Sequence, residues 1–239
     1  MNCGTYGGVH AVDSYHLPGN CQPRELRHGS PMTASLRLCY ITDRLALGAK
    51  PPLPLIQEAV RSGVDLIQIR EKDLAARPLV QLVRAAVECA RGTGTRVVVN
   101  DRLDVALAVG ACGVHLSTQS VPALAVRRRV PDDFLIGVSC HSLEEALAAV
   151  SAGGDYIVLG PIFATPSKLA YGLPLGLGKL REVAARVRIP LLALGGIDVQ
   201  RVKACLAAGA TGIAGISIFQ NSDSLQARVR ELRAEFTPA

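Results

Sequence analysis

The sequence predicts an α/β protein in which eight parallel strands and their connecting helices form one closed barrel. From residue 36 onward, short apolar runs alternate with longer amphipathic stretches, a pattern typical of a parallel sheet covered by helices. Eight such runs fit within 239 residues, a length that α/β barrels commonly occupy as a single unit. Glycines that would end a helix in the left-handed conformation precede every second strand, at Gly63, Gly110, Gly153 and Gly209. This repetition favours a (β/α)8 barrel, the TIM barrel, over an open doubly wound sheet.

The strands are predicted where apolar runs are bounded by turn residues or charges. In chain order they are LRLCYI (36–41), LIQIR (66–70), RVVVN (96–100), GVHL (113–116), FLIGVS (134–139), YIVLG (156–160), LLALG (191–195) and GIAGIS (212–217). Helices are predicted where apolar residues recur every three or four positions. They span residues 53–62, 75–91, 102–109, 122–130, 143–152, 177–187, 198–208 and 223–236. No G-x-G-x-x-G follows the first strand, which also counts against the open sheet.

The N-terminal region differs from the rest in composition. Residues 1–31 show no helical or strand period, so we predict a disordered leader there and a barrel domain over residues 32–239. Met32 offers an alternative start, which leaves open whether the leader is translated. No apolar run approaches the roughly 18 residues that span a bilayer, and the N-terminus lacks the pattern of a signal peptide. We therefore expect a cytoplasmic location and no membrane partner.

Charge and cysteine content narrow the class of partner. Seven cysteines, odd in number and without a CxxC pair, indicate reduced thiols. The net charge is +6, but the basic run at 127–129 has no interleaved aromatic residues, so it predicts a solvated helix face rather than nucleic-acid binding. A basic balance suits phosphorylated small molecules. Whether the chain forms a homo-oligomer stays open.

The stretch IQIREK (67–72) points toward a function, because an apolar strand leads directly into three charges. Side chains alternate between the two faces of a strand, so Gln68, Arg70 and Lys72 share one face. Buried charge is costly unless something pairs with it. In a barrel this polar face would point toward the mouth, where an anionic ligand would be the missing partner.

Nearly every polar residue suited to chemistry follows a strand, and active sites of such barrels lie at the carboxyl ends of the strands. Gly195 and Gly196 follow the seventh strand and Ser217 follows the eighth, where backbone N–H groups commonly cradle a phosphate. The other strand-end residues are Thr42, Asp43, Arg44, Arg70, Glu71, Lys72, Asn100, Asp101, Arg102, Ser117, Thr118, Gln119, Ser139, Cys140, His141, Thr165, Ser167 and Lys168.

A second, cationic phosphate site is predicted from Arg70, Lys72 and Lys168. Two phosphate sites favour a diphosphate, which usually binds together with Mg²⁺. Asp101 is the candidate ligand of that ion. The alternative for Asp101 is a helix N-cap, since the third helix is predicted to start directly after it.

Several segments at strand ends, in this order, carry a family resemblance: YITDR (40–44), IQIREK (67–72), NDRLDVALAVGACGVHL (100–116), IGVSCHSLEEA (136–146), GPIFATPSK (160–168), LGGI (194–197) and AGATGIAGISIF (208–219). Together they resemble the thiamine phosphate synthases and the related thiazole tautomerases, over the chain from about residue 36 to its end. The resemblance implies a (β/α)8 barrel and a transferase that joins hydroxymethylpyrimidine diphosphate to thiazole phosphate. The products would be thiamine phosphate and pyrophosphate.

The family pattern also implies residue roles. The bond to the diphosphate would break largely before the thiazole nitrogen attacks, so stabilising the leaving charge matters more than a strong base. Residues that would hold the pyrimidine diphosphate are Gln68, Arg70, Lys72, Asn100, Ser139 and Lys168, with Ser139 and Lys168 catalytic. Asp101 would hold Mg²⁺. The thiazole phosphate would lie near Thr165, Ser167, Gly196 and Ser217.

One motif departs from the synthase pattern. Synthases usually carry GQ and two acidic residues after the fourth strand, the second a magnesium ligand, whereas this chain reads STQS with Ser120 in that place. A neutral hydroxyl is a poor substitute for a carboxylate on a hard cation, so weaker Mg²⁺ binding is expected.

Two alternatives follow from that departure. The tautomerases lack the acidic pair and use a histidine of the S-x-H-S segment for proton transfer, which here is His141. His141 is therefore a candidate catalytic residue, although synthases often carry a histidine there too. Lys72 and the intact NDR segment (100–102) favour the synthase, because a monophosphate substrate would not require them. A protein that binds thiamine precursors without turnover is the third hypothesis.

Overall fold

The computed structural model describes residues 36–165 and 173–236. Within them, eight parallel strands close into a barrel, and β1 pairs with β8. The strands are β1 Leu38–Ile41, β2 Leu66–Ile69, β3 Arg96–Asn100, β4 Gly113–Leu116, β5 Leu135–Cys140, β6 Tyr156–Leu159, β7 Leu191–Leu194 and β8 Gly212–Gly215. The predicted TIM barrel is confirmed. The predicted leader at 1–31, and also Ser167 and Lys168, lie outside the described residues.

Among the described residues, eight helices alternate with the strands as predicted, with different end points, and the short helix Ser217–Gln220 was not predicted. They are α1 Pro52–Arg61, α2 Ala76–Ala90, α3 Leu103–Val109, α4 Ala123–Arg127, α5 Leu143–Ser151, α6 Gly176–Arg186, α7 Val199–Ala207, α8 Ser217–Gln220 and α9 Leu225–Ala234. The predicted eighth strand is too long, because the chain turns into α8 at Ser217 and Phe219 then packs 5.5 Å, between ring centroids, from Tyr40 of β1. No helix in the described part of the chain is long and apolar enough to cross a membrane.

The glycines that precede alternate strands adopt the expected conformation. Their φ angles are 79° at Gly63, 67° at Gly110, 82° at Gly153 and 96° at Gly209. An L side chain is strained in this left-handed region, which is why glycine recurs at these helix ends.

Strand alternation separates two apolar layers. The outward faces of the strands, with Ile67 and Ile69 of β2 among them, join the helices in the larger core. A smaller cluster fills the barrel and consists of Leu36, Cys39, Ile41, Leu66, Val98, Leu135, Tyr156, Val158, Leu192 and Ala214. Gln68 shares its face with Leu66 and is buried, so the polar face of IQIREK enters the barrel as predicted.

At the amino ends of the strands, two aspartates make the same pair of contacts, a hydrogen bond to a neighbouring strand and an ion pair with a helix arginine. Asp155 directly precedes β6, accepts a hydrogen bond from the Ile136 backbone N–H at 2.8 Å, and pairs with Arg127 at 2.5 Å. Asp65 directly precedes β2, accepts from the Leu38 N–H at 2.8 Å, and pairs with Arg233 of α9 at 2.6 Å. Each aspartate thus ties two strands and a helix together at the end opposite the predicted site.

Candidate active site at the carboxyl ends of the strands

Gln68 of β2, Asn100 of β3 and Asp101, directly after β3, form a directed hydrogen-bond series at the barrel mouth. Gln68 Nε2 donates to Asn100 Oδ1 at 2.8 Å, and Asn100 Nδ2 donates to Asp101 Oδ2 at 2.7 Å. A carboxylate only accepts, so Asn100 must turn its amide nitrogen to Asp101 and its oxygen to Gln68. Gln68 must in turn present its nitrogen to Asn100. Its Oε1 is consequently left buried without a hydrogen-bond partner.

Asp101 is held in an uncommon backbone conformation. Its φ angle is +58°, and it is the one non-glycine residue with positive φ in the described ranges. Such a conformation costs on the order of 1–3 kcal/mol and persists only where neighbouring groups enforce it. Here the Asp101 N–H donates to the His115 carbonyl at 2.9 Å, and Asp101 Oδ1 accepts from the Ser117 N–H at 3.0 Å and from the Ser120 hydroxyl.

The carboxylate of Asp101 does not cap a helix. The N-cap residue of α3 is Arg102, without a side-chain cap, so the N-cap alternative for Asp101 is wrong. The positive φ turns the carboxylate toward the β4 loop instead. Burial by itself would raise the pKa of Asp101, but hydrogen bonds from Ser120 and Ser117, together with the charge of Lys72, outweigh burial and hold this pKa below its ordinary value. Asp101 is therefore an anion facing the site.

The charges that follow β2 divide between two faces. Arg70 is half-buried, its backbone N–H donates to Thr42 Oγ1 at 3.0 Å, and its guanidinium has no hydrogen bond or ion pair with other described residues. Lys72 is exposed and acts electrostatically on Asp101. Glu71 is buried on the other side, where its Oε2 accepts from the Arg44 N–H at 2.9 Å. Burial raises the pKa of Glu71 above its ordinary value.

Ser139 of β5 lies above two buried residues that the sequence reasoning did not identify as functional. His115 Nε2 is 2.9 Å from Ser139 Oγ, and His115 Nδ1 is 3.1 Å from the Tyr156 hydroxyl. Burial lowers the pKa of His115 to about 4, so the ring is neutral near pH 7. The position of His115 could have been predicted from the alternation of GVHL, because Val114 and Leu116 face outward and His115 therefore faces into the barrel.

Four of these polar side chains lie on four successive strands of the barrel. Gln68 lies on β2, Asn100 on β3, His115 on β4 and Ser139 on β5. Asn100 is the register partner of His115, and hydrogen bonds link Gln68 to Asn100 and His115 to Ser139. Polar side chains thus lie on four neighbouring strands in this half of the barrel, linked as two hydrogen-bonded pairs.

His141 is anchored at the start of α5. Its Nδ1 lies 2.5 Å from the Gly160 carbonyl oxygen, and its backbone N–H donates to Glu145 Oε2 at 2.6 Å. A carbonyl only accepts, so Nδ1 carries the proton and Nε2 is the basic atom of the neutral ring. Glu145 thus accepts from the His141 backbone with its carboxylate, and its own backbone N–H donates to the hydroxyl of Ser142, the N-cap residue of α5.

Gly195 and Gly196 approach the loop after β6 closely. Their φ angles are 99° and 63°, and added Cβ atoms would lie 2.7 Å from Pro161 Cβ and 2.7 Å from the Ala164 carbonyl oxygen, respectively. This loop contact explains both glycines without a ligand, and their role at a phosphate stays a prediction. Ser217, the first residue of α8, is exposed.

The two described ends of the segment 161–176 are joined by backbone hydrogen bonds. Leu175 and Gly176 donate backbone hydrogen bonds to the carbonyls of Pro161 and Ile162, at 2.8 and 3.0 Å. Thr165 is half-buried and is the last described residue before position 166. Ser167 and Lys168 lie outside the described residues, so the meeting of Lys168 with Arg70 and Lys72 stays a prediction.

The donor set at Asp101 suits a metal ion only if the substrate takes part. In the described ranges no group of three or more His, Cys, Asp or Glu side chains could hold an ion. Asp101 is a single carboxylate, and the Ser120 hydroxyl binds it where a second carboxylate was expected. Mg²⁺ is often held by one or two carboxylates together with substrate phosphates and water. The site fits that arrangement and does not fit a cage made by the protein alone.

Comparison with known proteins assigns the chain to one family. The model of the thiamine monophosphate synthase family matches residues 38–219. The chain is 42% identical over 199 residues to a thiamine-phosphate synthase of Moorella thermoacetica, covering 83% of this chain and 94% of the relative. It is 40% identical over 199 residues to a thiamine-phosphate synthase of Roseiflexus sp., covering 83% and 84%. The structure of a thiamine phosphate pyrophosphorylase from Pyrococcus furiosus superposes with a TM-score of 0.76 at 34% identity, covering 85% of this chain and 96% of that one. The chain belongs to the thiamine monophosphate synthase family.

Proposed function

We propose that this protein condenses hydroxymethylpyrimidine diphosphate with thiazole phosphate, giving thiamine phosphate and pyrophosphate. The observation that carries the proposal is the buried Oε1 of Gln68, which has no hydrogen-bond partner. Arg70, two residues further along the same strand face, has a guanidinium without an ion pair among the described residues. The pyrimidine substrate combines an exocyclic amine, which donates hydrogen bonds, with an anionic diphosphate. One molecule thus supplies partners for both groups.

The proposed chemistry breaks one bond and forms another. The C–O bond between the pyrimidine methylene and the diphosphate breaks, and its electron pair leaves with the diphosphate. The lone pair of the thiazole nitrogen then forms the new C–N bond to the methylene carbon. Arg70 and Lys72, and Lys168 by the family pattern, stabilise the departing anion, while Gln68 and Asn100 orient the ring.

The remaining predicted residues complete the proposal. Asp101 would hold Mg²⁺ with the diphosphate and water, and the ion would neutralise part of the leaving charge. The thiazole phosphate is placed near Thr165, Ser167, Gly196 and Ser217. We also propose a cytoplasmic location, because two phosphorylated substrates do not diffuse across membranes. In support, the described cysteines are all free, namely Cys39, Cys89, Cys112, Cys140 and Cys205.

The tautomerase and carrier hypotheses are not favoured. The family model and the relatives described above carry the synthase name. The anchored His141 would suit proton transfer, but the uncompensated Arg70 and the exposed Lys72 match a diphosphate better than a monophosphate.

The test is product formation by the purified full chain. With both substrates and Mg²⁺, we expect thiamine phosphate and pyrophosphate in equal amounts. Arg70→Met should lower kcat/KM by about 100-fold or more, since it removes a donor to the leaving group. Arg61→Met, an exposed arginine at the end of α1, is the matched control. A folded wild-type protein that forms no thiamine phosphate contradicts the proposal, and turnover of a carboxylated thiazole phosphate would instead support the tautomerase.

A further inference from the structure

Three side chains form a hydrogen-bonded series through the barrel interior that ends at Ser139. The Tyr156 hydroxyl, His115 and the Ser139 hydroxyl lie on β6, β4 and β5, at separations of 3.1 and 2.9 Å. Tyr156 is 0% exposed and His115 is 1% exposed. Gly137 of β5 makes the first contact sterically feasible, because a Cβ there would lie 2.1 Å from Tyr156 Cζ and 2.5 Å from His115 Nδ1.

Donor and acceptor counting assigns a direction to this series. Among the described residues, the Tyr156 hydroxyl has one hydrogen-bond partner, the Nδ1 of His115. A fully buried O–H that does not donate loses the hydrogen bond it makes in water, at a cost of about 1–3 kcal/mol. Tyr156 therefore donates to Nδ1, which must be unprotonated. The ring proton then lies on Nε2 and is donated to Ser139 Oγ.

The same reasoning continues to the substrate site. Ser139 Oγ receives the His115 N–H, so its own proton is available to a further acceptor. The described residues offer it no such acceptor. Phosphate oxygens at the operating pH are strong acceptors. In the opposite orientation, with Ser139 donating to His115, the serine would present only lone pairs to the diphosphate and would repel it.

We propose that Tyr156 and His115 are positioning residues whose hydrogen bonds orient the Ser139 hydroxyl as a donor to the diphosphate of the substrate. The inference rests on the proposed function for the identity of the acceptor. Neither residue touches the substrate, and both act through Ser139.

The direction of the series can be measured without catalysis. In the ligand-free wild-type protein with ¹⁵N-labelled histidine, we expect the His115 resonances of a neutral ring protonated at Nε2, assigned by their loss in His115→Gln. A neutral ring protonated at Nδ1 overturns the proposal. This result does not depend on turnover. The proposed hydrogen-bond direction can therefore be wrong while the protein is still a synthase, and the synthase activity can be absent while the His115 tautomer is as expected.

A double-mutant cycle then separates positioning from general stability. We expect Tyr156→Phe to lower kcat about tenfold while changing KM little, and to have no further effect in the Ser139→Ala background. His115→Gln, which keeps an N–H donor near Ser139, should retain more activity than His115→Leu. Tyr40→Phe removes another buried tyrosine hydroxyl, bonded to Gln220 on the outer face of β1, and should leave kcat unchanged. Equal losses from Tyr156→Phe in both backgrounds would overturn the proposal.

Discussion

Gln68 and Asn100, on neighbouring strands, share a hydrogen bond of 2.8 Å whose direction is imposed by the carboxylate of Asp101. The anion orients the Asn100 amide, and that amide orients Gln68. A charge at the rim of the barrel thus determines that Gln68 offers the substrate an acceptor.

Gln68→Glu tests this polarity. The new carboxylate would face Asn100 Oδ1 without a proton to donate and would add a negative charge near Asp101. We expect a loss of about 1–3 kcal/mol in binding of the pyrimidine diphosphate, which is roughly 5- to 150-fold, measured as kcat/KM and by calorimetric titration. Gln200→Glu, at an exposed position of α7, makes the same chemical change away from the site. Equal effects of the two substitutions would contradict the assignment.

Ser120→Asp tests the one-carboxylate metal site. Ser120 donates to Asp101 in the wild type, and a second carboxylate there would replace a donor by a repelling charge. Without Mg²⁺ we expect a lower melting temperature than the wild type, because like charges lie in contact. With Mg²⁺ and pyrophosphate we expect half-saturation at a lower Mg²⁺ concentration. Thr118→Asp, an exposed position in the same loop, is the control. An unchanged Mg²⁺ dependence would argue against a metal at Asp101.

Glu71→Gln tests the cost of the buried carboxylate. Burial raises the pKa of Glu71 above its ordinary value of 4.5, so the folded state binds a proton more readily than the unfolded state. The free energy of unfolding therefore falls as pH rises from the unfolded-state pKa of Glu71 through its higher folded-state pKa, and it recovers as pH falls. The amide of Glu71→Gln does not titrate. The melting temperature of the variant minus that of the wild type should therefore be larger at pH 7.5 than near pH 4.5, because only the wild type is destabilised when its carboxyl group loses the proton. A relative gain for the wild type on raising the pH would contradict the assigned direction.

Arg127→Met tests the clamp at the amino ends of the strands. The guanidinium pairs with Asp155 at 2.5 Å, and both side chains are about nine-tenths buried, at 11% and 8% exposure. Arg127→Met takes a nine-tenths-buried guanidinium away from the buried carboxylate of Asp155, so we expect a loss of roughly 3–5 kcal/mol in the free energy of unfolding, measured by urea denaturation. Arg128→Met, the exposed neighbour in sequence, should stay within about 0.5 kcal/mol of the wild type. Similar values for the two variants would show that the pair is not a clamp.

Much of the fold could be predicted because its signals are local. Apolar runs located the strands, and the glycines at 63, 110, 153 and 209 marked helix ends with positive φ. Alternation correctly placed Gln68 on the inner face of the barrel, and the structure then shows its bond to Asn100. The length of the eighth strand was overestimated, because the turn at Ser217 depends on contact between Phe219 and Tyr40, which are distant in sequence.

The sequence predicted that the candidate site residues gather at the carboxyl ends of the strands, but not which of them bond to one another. The role of Asp101 as a Mg²⁺ ligand stays a prediction, and the helix-cap alternative failed because a positive φ points the carboxylate at the β4 loop. His115 and Tyr156 were overlooked because each lies within an apolar strand and looks like core. Their contact depends on the register of three strands and on the missing side chain at Gly137.

The sequence by itself determined the barrel, the face of each strand and the collection of polar residues at one end. These follow from burial of apolar surface, which is non-directional and leaves a period in the chain. The tertiary structure alone decided which of those residues bond to one another, and in which direction. Hydrogen bonds require distances near 3 Å and a matched donor and acceptor, and only the assembled barrel sets those positions.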